Sequence, residues 1–254
     1  MRRYMKTNNY FCPICDSRSQ IIDVVDFNKN CEETKGVFLP LSGVPIYYHM
    51  CESCHFTFSP AFWNWSEQDF LECIYNDDYI HIDPDYVEIR PTSNASVMQQ
   101  IFPNQVEQIK HLDYGGGNGV MSNLLTKNGW NSKSYDPFPK SKLSIKELGK
   151  FNLITAYEVF EHVPDPNELM ENLTELMDES CLILFSTLIS DNDIKINSRI
   201  NWWYCSPRNG HISLYSKKSL LELGRKFNLN YGSFSDGFHC YFRKNPMWAK
   251  HLIE

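Results

Sequence analysis

Residues 106–127, VEQIKHLDYGGGNGVMSNLLTK, decide the fold of this 254-residue chain. Val106 to Asp113 alternate loosely and end on a carboxylate, residues 115–119 form a tight glycine turn, and Val120 to Lys127 carry helical spacing. The order is strand, glycine turn, helix. The dinucleotide fingerprint G-x-G-x-x-G fails, since counting from Gly115 puts Val120 at the third glycine and counting from Gly117 puts Ser122 there. A nicotinamide cofactor is therefore disfavoured. Asp113 would repel a pyrophosphate and attract an ammonium group, and the glycines let a ligand lie against bare backbone. The loop suits a cationic nucleoside without phosphates.

Downstream, Asn131 to Asp136 reads as a second strand ending in an acid 23 residues after Asp113, the reach of one helix plus one strand. Residues 151–166, FNLITAYEVFEHVPDP, supply a further strand followed by two carboxylates and a histidine. The order then continues with a helix over 167–177, a buried strand over 181–189, a helix over 219–227 and an antiparallel hairpin over 229–242.

Asp113, Gly115, Gly117 and Gly119 match the D-x-G-x-G-x-G motif of the class I S-adenosylmethionine-dependent methyltransferases, which the chain resembles in all three ordered blocks. The 151–166 block is most similar to the branch containing the ubiquinone-biosynthesis and sugar methyltransferases. The resemblance implies an α/β, Rossmann-like, mostly parallel seven-stranded sheet with its last strand reversed. It implies S-adenosylmethionine as cofactor, with Asp136 on the ribose hydroxyls and Glu158 near the methionine end. One departure is that only residues 137–150 separate Asp136 from the next strand, and they contain no Asp. The third strand is expected to be abbreviated, with Phe138 as the candidate cover for the adenine face.

Cys12-Pro-Ile-Cys15 and Cys51-Glu-Ser-Cys54 are two Cys-x-x-Cys knuckles with 35 residues between them. Two such pairs complete the closed tetrahedral shell of a structural zinc site, which helps a segment of this size to fold. The alternative is two unrelated pairs of buried cysteines. The expected organisation is a zinc-ribbon-like module over 1–60, a linker or lid over 61–105 and a cofactor-binding domain over 106–254. Within 61–105, Ser66 caps a short helix, and Tyr79 and Arg90 are candidates for contacting the methionine carboxylate or the acceptor.

The formal charge of −7 argues against nucleic acid or an anionic membrane as a main partner, leaving a small molecule. No apolar stretch approaches the ~20 residues needed to span a bilayer, and no hydrophobic run follows the N-terminal arginines, so a cytoplasmic location is expected. Oligomeric state leaves no signal. The four-cysteine module ahead of the glycine domain, and the Gly210-His211 block, resemble zinc-containing sugar methyltransferases. That resemblance implies methyl transfer to O or C of a nucleotide-activated sugar or a related capsule polysaccharide precursor. A phosphoryl-type oxygen, a quinone-type hydroxyl, or an inactive cofactor-binding interaction module are the alternatives. His162 and His211, with Glu161 beside the first, are the candidate bases, against helix capping or a hydrogen-bonded loop histidine as structural roles.

Overall fold

The computed structural model describes residues 10–138 and 144–253. It opens with the antiparallel pair β1 (Ser19–Asp26) and β2 (Pro45–Cys51), then the short β3 (Thr57–Phe58). Helices α1 (Glu67–Cys73), α2 (Tyr79–Ile82) and α3 (Ile89–Ile101) follow. Ser66 caps α1 as the sequence predicts, its hydroxyl accepting from the backbone of Asp69 while the Asp69 carboxylate accepts from Ser66 N at 2.7 Å.

The second half begins with β4 (Lys110–Tyr114), α4 (Val120–Lys127), β5 (Asn131–Tyr135) and the short α5 (Ile145–Leu148). It continues through β6 (Phe151–Tyr157), α6 (Pro166–Leu176), β7 (Met177–Ser186), β8 (Ser213–Leu214), α7 (Lys217–Lys226), β9 (Asn230–Ser235) and β10 (Phe238–Phe242). The main sheet has the order β5-β4-β6-β7-β10-β9. Its first four strands are mutually parallel, and β10 runs antiparallel to both neighbours.

This sheet has six strands among the described residues, not the seven that the family resemblance implies. A parallel crossover takes a dozen or more residues before any new strand is laid down, and residues 137–150 hold little more than that. Of the described part of that stretch, only α5 is regular.

The central strands are buried on both faces, as a parallel sheet requires. Along β7, Ile183 and Phe185 face the α6–α7 side with Leu173 and Leu220, while Leu182 and Leu184 pack with Met98 of α3 and Leu125 of α4. The four-cysteine knuckles join the first of these cores. The smaller sheet runs β1-β2-β3-β8, so a strand from the C-terminal half completes it through Thr57 against Leu214 and Phe58 against Ser213. Among the described residues no helix is long and apolar enough to cross a membrane.

Candidate active site

A cavity of about 740 Å³ opens at the carboxyl ends of β4, β5 and β6, where ligands of open α/β sheets bind. Asp113, Gly115, Gly116, Gly117, Asp136, Phe138, Glu158, Arg90 and His162 line it. Gly119 does not; it caps α4 from a left-handed conformation with φ of 73°.

The glycine loop is shaped by close approach. Gly115 has φ of 74°, and a Cβ there would meet Val159 at 2.4 Å. Gly116 occupies a variable position of the motif, yet a Cβ on it would lie 2.4 Å from Ser134 Oγ and 2.5 Å from Asp113 Oδ2. Motif matching passed over this residue because only tertiary contacts forbid a side chain.

Asp113 is 5% exposed, and Thr155 Oγ1 donates to its Oδ1 at 2.9 Å. Burial pushes its carboxyl up to about 7 against that hydrogen bond. Behind it, His111 bridges Thr155 at 2.9 Å and Ser132 at 2.7 Å, and burial pulls its imidazole down to about 3. Neither Thr155 nor His111 carried a sequence signal, since each reaches Asp113 through a neighbouring strand or side chain. Asp136 accepts from Gly117 N and from Phe138 N, both at 2.8 Å, and so ties the second strand to the glycine loop.

These features fit an S-adenosyl compound. The buried Asp113 has no cationic side chain paired with it among the described residues, and open backbone lies beside it. Asp136 and Phe138 line the same cavity. Glu158 follows β6 with φ of 54°, a backbone conformation that L residues adopt at a cost, and Ser186 Oγ accepts from its N at 2.8 Å. Arg90 is held between Glu158 and Asp83.

Aromatic residues of the 61–105 segment line another part of the cavity. Trp65, Phe70, Tyr75, Tyr79 and Tyr86 all line the cavity, and part of the same set packs into a core with Tyr48, Trp202 and Tyr204. Trp202 and Tyr204 are core residues.

Glu161, His162 and His211 come together although 50 residues part the first from the last. The two imidazole centroids are 4.9 Å apart, and His162 Nε2 lies 4.0 Å from Glu161 Oε1. Backbone pairing sets the approach: Ile212 N donates to Glu161 O at 2.9 Å, and Tyr48 Oη to His211 O at 2.8 Å. Burial pulls His162 well down, with His211 and Arg90 adding to the effect, and pulls His211 down to about 3. Burial, then Glu158, pushes Glu161 up to about 8. The helix-capping alternative fails, because Asp165 caps α6 by accepting from Asn167 N at 2.8 Å.

The four knuckle cysteines also converge, with Cys12 and Cys54 sulfurs 3.6 Å apart, Cys15 and Cys51 sulfurs 3.5 Å apart, and all four within 4.8 Å of one another. Ser53 N and Cys54 N both point to Cys51 Sγ at 3.4 Å. This donor set fits a closed tetrahedral zinc shell, held by Cys12, Cys15, Cys51 and Cys54, that would brace the loops and leave no position for substrate.

A family model described as "Methyltransferase domain" matches residues 86–233, more than half of the chain, and the chain belongs to that family. Its architecture is that of a class I S-adenosylmethionine-dependent methyltransferase. Among curated proteins it is 27% identical to the ubiquinone biosynthesis O-methyltransferase of Histophilus somni (strain 2336), over 40% of this chain and 53% of the relative. It is 25% identical to the protein of the same name from Bordetella avium (strain 197N), over 39% and 54%. The chain thus spans about half the length of these relatives. Among solved structures, the 1,6-didemethyltoxoflavin-N1-methyltransferase of Burkholderia thailandensis, with 1,6-didemethyltoxoflavin and S-adenosylhomocysteine bound, superposes with a TM-score of 0.50. It is 12% identical, over 78% of this chain and 99% of that one.

Proposed function

We propose that this chain transfers the methyl group of S-adenosylmethionine to a hydroxyl oxygen on a small, ring-bearing acceptor. The observation that carries the proposal is the buried Asp113 carboxylate, without a cationic partner, under a side-chain-free loop that faces the same cavity as Asp136. Asp113 and the loop of Gly115 and Gly117 would hold the amino-acid end of the donor, Asp136 the ribose and Phe138 the adenine face, with Gly119 shaping the turn from outside the cavity. The donor supplies an electrophilic methyl on a sulfonium. The chain's contribution is to align the acceptor, worth ~7–11 kcal/mol when geometry is good, and to exclude water. Removal of the hydroxyl proton falls to the Glu161–His162–His211 group.

The cavity chemistry favours an uncharged aromatic acceptor, of the quinone-type hydroxyl class, over a nucleotide-activated sugar. A diphosphate would find no free Lys or Arg among the described lining residues. Arg90 is the one Lys or Arg among the described lining residues, and both Asp83 and Glu158 already hold it. Acids line the rest, including Glu67, Asp165 and Glu168, alongside five aromatic rings of the 61–105 segment. The curated relatives, named for ubiquinone biosynthesis, agree with that choice. The structural zinc at Cys12, Cys15, Cys51 and Cys54 is part of the same proposal.

The test is calorimetry with S-adenosylhomocysteine, followed by a mass-resolved screen of hydroxylated aromatics and nucleotide sugars for the gain of one methylene. Binding, and methylation confined to the aromatics, is the expected result. Absence of binding would overturn the donor site. Binding without turnover of any compound would leave an interaction module, and methylated nucleotide sugars would reverse the choice of acceptor.

A further inference from the structure

We infer that Glu161, His162 and His211 form a binding site for a divalent cation at the acceptor end of the cavity. One donor atom from each lies within 4.8 Å of the others. Bonds of about 2.0–2.2 Å to a common ion place ligand atoms ~3–4 Å apart, so small side-chain rotations close the shell.

The carboxylate argues for a ligand on its own. Glu161 is 0% exposed, and neither of its oxygens meets a partner with full hydrogen-bond geometry among the described residues, although the hydroxyls of Tyr204 and Thr187 stand close enough to act on its proton affinity. Leaving a buried carboxylate unsatisfied is costly, and purely structural glutamates are paired. The group makes no cap and no ion pair with Lys or Arg among the described residues.

Both imidazoles are oriented as metal ligands are oriented. His211 Nδ1 stands 2.8 Å from the Tyr204 carbonyl, which can only accept, so that nitrogen carries the proton and Nε2 keeps its lone pair. His162 Nδ1 is 3.1 Å from Tyr75 Oη, leaving its Nε2 on the Glu161 side. An imidazole whose outer nitrogen donates to a carbonyl is the usual support behind a metal, and His162 has the same arrangement when Tyr75 Oη accepts.

Two imidazoles and one carboxylate suit Zn²⁺, Mn²⁺ or Fe²⁺ and leave coordination positions open, unlike the four-thiolate shell. His162 lines the cavity, so the ion would sit at its wall. For the chemistry, which rests on the methyltransferase proposal, an acceptor hydroxyl bound to the ion loses its proton to solvent and keeps the electron pair on oxygen. The ion thus stands in for a general base.

The test uses the full chain, desalted, then equilibrated with Mn²⁺, a poor partner for thiolates. Total divalent metal per chain is measured by elemental analysis for wild type, Glu161→Gln and His211→Gln. Wild type should hold one ion more than either variant, and Mn²⁺ should raise its thermal midpoint but not theirs. Equal metal content in all three would overturn the site. Should a variant fail to fold, pulsed electron paramagnetic resonance of wild-type Mn²⁺ decides: nitrogen couplings from two imidazoles support the site, and their absence removes it. S-adenosylhomocysteine binding is measured in parallel; its loss in wild type would strike the methyltransferase proposal while leaving the cation site standing.

Discussion

Replacing Asp113 with Asn should make the ligand-free protein more stable and the donor site weaker. Burial moves this carboxyl from an ordinary 3.8 to about 7, and each tenfold change in proton affinity is worth about 1.4 kcal/mol. The folded state therefore carries a penalty of at most ~4 kcal/mol once pH exceeds 7. The sign follows from proton binding: between pH 4 and 7 the folded chain holds a proton that the unfolded chain has released, so stability falls as pH rises through that window. Asparagine carries no charge at any pH and keeps the Oδ1 acceptor that Thr155 uses. Urea unfolding of both proteins at pH 4 and pH 8 isolates the residue, because Glu161 and Asp136, raised in the same direction, contribute equally to both. The variant should gain up to ~4 kcal/mol over wild type at pH 8, with the two nearly equal at pH 4. Its affinity for S-adenosylhomocysteine should drop about tenfold or more, the value of one hydrogen bond to a charged group. A variant that is less stable at pH 8, or that binds the compound like wild type, would refute both the burial of this charge and its assignment to the donor.

Cys15→Ser should release one zinc per chain by elemental analysis and lower the thermal midpoint by about 5–10 °C, the equivalent of ~2–3 kcal/mol at this size; unchanged metal content would remove the zinc assignment. Gly116→Ala should weaken S-adenosylhomocysteine binding by about tenfold, since its methyl must displace Ser134 and Asp113 at a cost of ~1–3 kcal/mol; calorimetry on the folded variant checks this. Burial of the histidines works against burial of the carboxyls: below pH 6.5 the unfolded chain protonates His111 and His211, which the folded chain holds neutral down to about 3, so their share of the stability is lost as pH falls. His111→Asn should therefore show a flatter loss of unfolding free energy between pH 6.5 and 4.5 than wild type, and an equally steep loss would contradict the burial of that ring.

The local signals in the chain were strong wherever backbone chemistry and periodicity act within a few residues. The strand–turn–helix at Asp113, the capped helix after Ser66, the acid at Asp136 and the closing hairpin are all such cases, and the structure has them where the sequence places them. Gly116 escaped notice because its constraint comes from Ser134 on the next strand. Trp202 and Tyr204 fill a core while Tyr75 and Tyr79 face the cavity, a difference that aromatic side chains do not show in sequence.

Alternating apolar residues, glycine spacing and paired cysteines determined the class of fold and the donor loop without reference to any distant contact, because each depends on dihedral preferences and side-chain periods along one segment. Tertiary structure alone decided that β8 would carry His211 through the N-terminal sheet to Glu161 and His162. It also decided that the Glu161 carboxylate would be fully buried beside His162. Such long-range meetings are set by how whole sheets pack, and burial then fixes the charge that each side chain can hold.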